Sequence, residues 1–141
     1  MKARDVMTAH PSVVLPGDTV SKAAQIMRDR KVGMLPVIDS LWTRNLVGVI
    51  TDRDIVVRCV SQGDGAVCLV CDHMTRESLT CVDVDADVGD VVACMEAHGL
   101  RRIPVLKRDG PMLGVIASTD LVARLRPSRA PGARPAATSP T

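Results

Sequence analysis

The chain contains two copies of one unit of about 60 residues, and no other feature of the sequence limits its possible folds as strongly. Residues 5–56, which begin DVMTAHPSVV and end GVITDRDIV, align with residues 72–122, which begin DHMTRESLTC and end GVIASTDLV. A unit this short buries its apolar surface poorly by itself. We therefore expect the two copies to pack against each other, sheet against sheet with helices outside, leaving two related clefts where they meet.

Each copy predicts the order strand, helix, strand, strand, helix, and the chain is therefore predicted to be an α/β protein. An apolar stripe at positions i, i+3, i+4 and i+7 marks the first helix of each copy. Its members are Val20, Ala23, Ala24 and Met27, then Val88, Val91, Val92 and Met95. Asp18 and Thr19 are candidate caps for the first of these helices. Strands are predicted at 34–38, 46–50, 102–106 and 113–116, and the last helices begin near Asp52 and Ser118.

These patterns divide the chain into four parts. Residues 1–58 form the first repeat, 59–71 a connecting segment with a turn at Gly63 and Gly65, and 72–126 the second repeat. Residues 127–141 are rich in Pro, Ala and Arg and show no apolar period, so we predict a disordered tail.

Composition argues against several classes of partner. Residues 1–123 carry 14 Lys and Arg against 16 Asp and Glu, a net charge of −2, so no basic surface for duplex DNA is expected. Trp42 is the single aromatic residue, which disfavours binding of single-stranded nucleic acid by stacking. No apolar run reaches the length of a membrane span. Five cysteines, an odd number, and the absence of a leader-like start indicate a reducing compartment and a cytoplasmic protein.

The stretch GVITDRDIV, residues 48–56, runs from a predicted buried strand directly into a helix. The start of a helix offers free N–H groups to a phosphate, Thr51 adds a hydroxyl, and Asp54 offers a carboxylate for a ribose diol. The same Thr-x-x-Asp spacing also forms a capping box that only satisfies the helix end. Spacing alone leaves both interpretations open.

The repeated order of D-x-M-T, an apolar helix, an h-P-V strand (h, an apolar residue) and G-h-h-T-x-x-D resembles the tandem CBS module, named after cystathionine β-synthase. The resemblance covers residues 5 to about 125. It implies a pseudo-twofold pair of β-α-β-β-α repeats that dimerises, here as a homodimer. It also implies that the clefts bind an adenine-type ligand such as AMP, ADP, ATP or S-adenosylmethionine, with no other cofactor.

Carried onto this sequence, the resemblance makes Thr51 a phosphate or ribose contact and Asp54 the ribose acceptor. Asp120 matches Asp54, but Ala117 replaces Thr51, so the second site is expected to be weaker, with Ser118 only a shifted substitute. Arg53, Arg101 and Arg102 are candidate phosphate ligands or solvent-exposed side chains. The remaining predicted ligand-binding residues line the clefts or lie near their base: Thr8, Val14, Met34, Leu35, Pro36, Thr75, Val82, Ile103 and Pro104.

A second possible site lies in CLVCDH, where Cys68, Cys71 and His73 have the spacing of a partial zinc site. Cys59 or Cys81 is a candidate fourth ligand. The alternative is that these cysteines are buried as small apolar side chains. This motif supports a competing hypothesis, a thiol-based or zinc-linked stress-response protein.

No group of residues suggests an enzyme, because none of the three histidines accompanies a recognisable nucleophile or a pair of carboxylates. The sequence therefore favours a non-enzymatic regulatory or sensor module. Such a module would bind an adenine nucleotide or adenosyl ligand between its repeats and signal occupancy to a separate protein, which the sequence does not identify.

Overall fold

The structure, a computed structural model, describes residues 1–63 and 68–125. These residues form the two β-α-β-β-α repeats that the sequence predicts. Gly63 adopts a left-handed turn (φ 69°), as expected at this position. The predicted turn at Gly65 and the predicted tail from residue 127 onward lie outside the described residues.

Helices and strands of the described part are numbered along the chain. The helices are α1 (Ala3–Val6), α2 (Val20–Arg30), α3 (Asp52–Asp54), α4 (Val70–His73), α5 (Val88–His98) and α6 (Ser118–Leu125). The strands are β1 (Thr8–Ala9), β2 (Met34–Ile38), β3 (Leu46–Thr51), β4 (Val82–Asp83), β5 (Arg102–Leu106) and β6 (Met112–Ala117). A π-helical turn, Ile55–Cys59, and a 3-10 turn, Val60–Gln62, continue α3.

The helix predictions agree with the structure in position and in buried face. Val20, Ala23 and Met27 of α2 are buried, whereas Ala24 is exposed. The hydroxyl of Thr19 accepts a hydrogen bond from the backbone N–H of Lys22 at 3.1 Å and so caps the helix. α5 places the same stripe against the second core. No helix among the described residues has the length and apolar character needed to cross a bilayer.

The start of each repeat completes the sheet of the other repeat. β2 pairs with β3, and β5 pairs with β6, both antiparallel. β1 then pairs with β6 of the second repeat, with Thr8 opposite Val115. In the matching arrangement, Thr75 of the second repeat bridges to Val49 of the first. The sequence boundaries of the repeats do not reveal this exchange.

The hydrophobic cores follow the same exchange. Ala3 and Val6 of α1 pack in the core of the second repeat. Val70 and Met74, which begin the second repeat, pack in the core of the first. Neither core is complete without residues from the other repeat, so the two repeats are expected to fold as one cooperative unit.

Two matching glycines make the exchange possible. A Cβ atom on Gly114 would lie 2.6 Å from the backbone oxygen of Thr8, and one on Gly48 would lie 2.9 Å from that of Thr75. Both distances are too short for a methyl group and a backbone oxygen. Glycine is therefore needed on β6 where the Thr8 segment pairs with it, and on β3 where the Thr75 segment does.

We predict that Gly114→Ala lowers the free energy of unfolding by about 1–3 kcal/mol, because backbone must shift to admit the methyl group. Urea denaturation followed by far-UV circular dichroism measures this change. Gly17→Ala is the matched control, since a Cβ there meets nothing within 4 Å. Equal stability of the two variants would contradict the close approach.

Candidate functional site

An open cavity of about 160 Å³ lies between the two repeats. Its walls come from both copies, since the start of β2 faces residues of β5, β6 and α6. The lining residues are Thr8, Pro11, Ser12, Val32, Met34, Leu35, Pro36, Arg102, Val115 and Asp120. The cavity thus combines an apolar wall with one cation, one carboxylate and two hydroxyls, a suitable lining for an amphipathic small molecule.

The pseudo-twofold relation explains which residues meet in this cavity. Leu35-Pro36-Val37 matches Ile103-Pro104-Val105, so Met34 and Arg102 occupy equivalent positions at the starts of β2 and β5. Both side chains line the same cavity. At equivalent positions, the wall formed by β5 therefore carries the guanidinium of Arg102, and the wall formed by β2 carries the thioether of Met34.

Asp120 contributes a carboxylate that is free of internal partners. It lies half-buried in the first turn of α6, directly on the cavity. Within residues 1–63 and 68–125 its oxygens accept no hydrogen bond and form no ion pair. An unpaired carboxylate at a half-buried cavity wall is available to the hydroxyls of a ligand.

Asp54, the equivalent residue in the first repeat, has several internal partners. Its Oδ2 accepts a hydrogen bond from the backbone N–H of Thr51 at 3.0 Å, and the Thr51 hydroxyl accepts one from the N–H of Asp54 at 3.0 Å. The hydroxyl of Thr75 donates to Oδ2 at 3.4 Å, and Arg58 lies 3.7 Å from Oδ1. The structure thus contains the capping box, the simpler of the two interpretations of Thr-x-x-Asp.

Ala117 removes one half of this capping box from the second repeat. It stands where Thr51 stands, so α6 has no threonine hydroxyl with which to form the capping box. From the sequence, the loss of this hydroxyl is expected to weaken the second site. In the structure the described cavity lies at Asp120, whereas Asp54 is engaged in the cap with only 13% of its side chain exposed.

Six of the residues predicted to bind ligand line the cavity together: Thr8, Met34, Leu35, Pro36, Arg102 and Asp120. The others do not line it. Arg53 and Arg101 are exposed, and Ile103 is fully buried in the second core. The remaining predicted residues lie elsewhere in the two repeats: Val14, Thr51, Asp54, Thr75, Val82, Pro104 and Ser118.

Four lining residues were not singled out from the sequence. Val115 pairs with Thr8 across the exchange, and the repeat alignment alone does not indicate that pairing. Pro11 and Ser12 follow β1, and Val32 precedes β2, so all three lie in connections without a motif. These residues can be assigned to the cavity only when the strand pairing between the two repeats is known.

Two of the cysteines are paired, since Cys59 and Cys68 form a disulfide. From the sequence, Cys59 is only a candidate fourth metal ligand beside Cys68. The sulfur atoms and a ring nitrogen of His73 all lie within 4.8 Å of one another, and all three residues are buried. Cys59 is the last residue of the π-helical turn, and His73 is the last residue of α4. The groups therefore come together where the first repeat connects to the second.

Cys71 and Cys81, proposed as zinc ligands from the sequence, are not in this group. Both are half-buried free thiols in the described part of the chain. The Cys71 Sγ instead approaches the Asp72 carboxylate at 3.9 Å. Burial raises the pKa of the Cys81 thiol, and Asp109 adds to the shift, so this thiol is held in its protonated form.

Comparison with known proteins agrees with the duplicated fold. The family model of the CBS domain matches residues 3–61 and again residues 70–127. Hypoxic response protein 1 of Mycobacterium tuberculosis is 33% identical over 123 residues, which are 87% of this chain and 84% of that protein.

Two solved structures are similar as well. The crystal structure of Hypoxic Response Protein I with two coordinated zinc ions has a TM-score of 0.75 at 32% identity, covering 89% of this chain and 99% of that one. The crystal structure of CBSX2 in complex with AMP has a TM-score of 0.74 at 30% identity, covering 87% and 94%. With its two matched segments and its reciprocal strand exchange, the chain belongs to the CBS domain family and contains a pair of CBS domains.

Proposed function

We propose that this CBS pair is a regulatory module that binds an adenine nucleotide or a related adenosyl ligand in the cavity at Asp120. The observation that carries the proposal is the unpartnered carboxylate of Asp120 in a cavity that Arg102 also lines. A nucleotide has a diol that donates hydrogen bonds and a phosphate that accepts them. The cavity has one complementary group for each.

Each part of the ligand has a suitable surface. Asp120 accepts hydrogen bonds from the ribose diol, and Arg102 binds the phosphate through its guanidinium. The base packs against aliphatic residues, since Val32, Leu35 and Val115 line the cavity. The similarity to CBSX2, which was solved with AMP, makes AMP the first probe to try.

The output follows from the position of the cavity between the repeats. A ligand that contacts β2 on one side and α6 on the other favours one relative arrangement of the two repeats. A separate protein that recognises this arrangement would then respond to the nucleotide concentration. The proposal includes no chemical step, and its proposed compartment is the cytoplasm.

The cleft at Asp54 remains a predicted second site. A ribose there must compete with the hydrogen bonds that Asp54 already accepts from Thr51 and Thr75. We therefore expect the cavity at Asp120 to bind first, with the Asp54 cleft weaker.

We predict that Asp120→Asn weakens AMP binding roughly 10- to 100-fold, since hydrogen bonds to a charged acceptor are lost. Isothermal titration calorimetry measures the affinity. Thr119→Ala is the matched control, because Thr119 is an exposed neighbour on α6 that does not line the cavity. Asp54→Asn separates the two sites: if it lowers affinity while Asp120→Asn does not, the proposed location is wrong.

We predict that Arg102→Met, which copies Met34 into the second repeat, weakens AMP at least tenfold but leaves adenosine binding nearly unchanged. The reason is that only AMP carries the phosphate that Arg102 binds. Calorimetric titrations of both ligands into both proteins test this. An equal loss for AMP and adenosine would show that Arg102 shapes the cavity instead of binding phosphate.

A homodimer is the proposed assembly. Val56, Val57 and Val60, in the turns that follow α3, are 52–64% exposed. Clustered exposed valines are unfavourable in water and suit a second copy of the chain.

We predict a dimer mass in multi-angle light scattering and a monomer for Val60→Lys. A monomeric wild-type protein at micromolar concentration would contradict the assembly.

A further inference from the structure

We infer that Cys59, Cys68 and His73 form a metal site that takes Zn²⁺ when the disulfide is reduced. Both sulfurs come from the segment that connects the repeats, and the imidazole comes from the start of the second repeat. The two sulfur atoms and the ring nitrogen lie within 4.8 Å of one another. Two thiolates and an imidazole are a donor set that zinc prefers.

All three members of this group are buried. Cys59 and Cys68 are each 6% exposed, and His73 is 8% exposed. His73 is the single buried polar or charged residue found in the described part of the chain. One of its ring nitrogens lies within 4.8 Å of both sulfur atoms, a position from which the imidazole can share a bound ion with them.

The duplication shows that the fold itself does not require a histidine here. The alignment of Asp72 with Asp5 and of Met74 with Met7 makes His73 the equivalent of Val6. Val6 is 2% exposed in the apolar core of the second repeat. An apolar residue therefore serves the same structural position, and the imidazole has been introduced beside two sulfurs in one repeat only.

The disulfide and the metal are alternative states of the same two sulfurs. A cellular dithiol reduces the Cys59–Cys68 bond by transferring two electrons and two protons, and is itself oxidised to a disulfide. Zn²⁺ then binds the two sulfurs and displaces both thiol protons. A disulfide that oxidises the two thiolates back to the Cys59–Cys68 bond, and is itself reduced to a dithiol, reverses these steps and releases the ion. Zinc has three protein ligands in this state, and its fourth position is open to water.

The site adjoins the Asp54 cap and not the cavity at Asp120. Arg58, next to Cys59 in sequence, contacts the Asp54 carboxylate, and its Nη1 lies 3.5 Å from the backbone oxygen of Met74. Met74 in turn follows His73. The metal site therefore stands apart from the cavity at Asp120, and the two proposals succeed or fail separately.

Cobalt titration of the anaerobically reduced protein tests the inference directly. We expect one Co²⁺ per chain, with thiolate-to-cobalt charge-transfer absorption and the visible bands of a tetrahedral site. The protein oxidised with diamide is expected to show neither. Zn²⁺ should displace the cobalt and remove both absorptions. Reduced protein without thiolate absorption, or oxidised protein with it, would overturn the inference.

Variants identify the ligands. Cys59→Ser and Cys68→Ser are each expected to weaken zinc binding by about 100-fold in competition with a chromophoric chelator, since each removes one of three ligands. His73→Val copies the residue of the first repeat and is expected to weaken binding while retaining the fold. Cys71→Ser is the matched control and should bind as the wild type does. If Cys71→Ser lowers the zinc affinity as much as Cys59→Ser does, the assigned ligand set is refuted.

A readout that does not depend on affinity keeps the inference testable if a variant fails to fold. Mass spectrometry of the reduced wild type after brief alkylation reports each cysteine separately. Zn²⁺ should protect Cys59 and Cys68 while leaving the labelling of Cys71, Cys81 and Cys94 unchanged. Equal labelling of all five with and without Zn²⁺ would overturn the proposal.

Discussion

The reciprocal pairing of Thr8 with Val115 and of Thr75 with Val49 is the contact on which the rest of the structure depends. It completes both sheets, and it carries α1 and α4 into the cores that they fill. Each pairing requires a glycine on the strand that is crossed. The arrangement explains why a unit of about 60 residues occurs twice, since one copy alone would lack both an edge strand and part of its core.

The same symmetry makes small sequence differences between the copies important. Thr51 and Ala117 occupy equivalent positions, and only Thr51 has the hydroxyl that accepts a hydrogen bond from the helix start. Met34 and Arg102 form another such pair on the walls of one cavity. A duplicated scaffold can thus support a structural site at one end and a ligand site at the other with few substitutions.

Sequence patterns were sufficient to predict the repeats, the main helices and the strands, because these depend on local periodicity and on capping residues. Pairing between repeats depends on contacts between residues far apart in the chain, so the exchange of β1 and the role of Val115 were not predicted. The spacing of Thr51 and Asp54 fits both a cap and a ligand site, and only the hydrogen-bond partners in the structure distinguish them. The Cys59–Cys68 pair was missed for the same reason.

The two regions that the pseudo-twofold axis relates therefore differ in chemistry. At the end where β1 meets β6, the structure leaves Asp120 free beside an open cavity. At the end where Thr75 meets β3, Asp54 is held by its cap, and the buried sulfurs of Cys59 and Cys68 lie beside His73. The equivalent residue, Val6, lies in the apolar core of the second repeat, whereas His73 lies beside the sulfur atoms of Cys59 and Cys68. The asymmetry thus fits the two proposals made above, nucleotide binding at Asp120 and a metal site at Cys59, Cys68 and His73 that depends on the redox state of the two thiols.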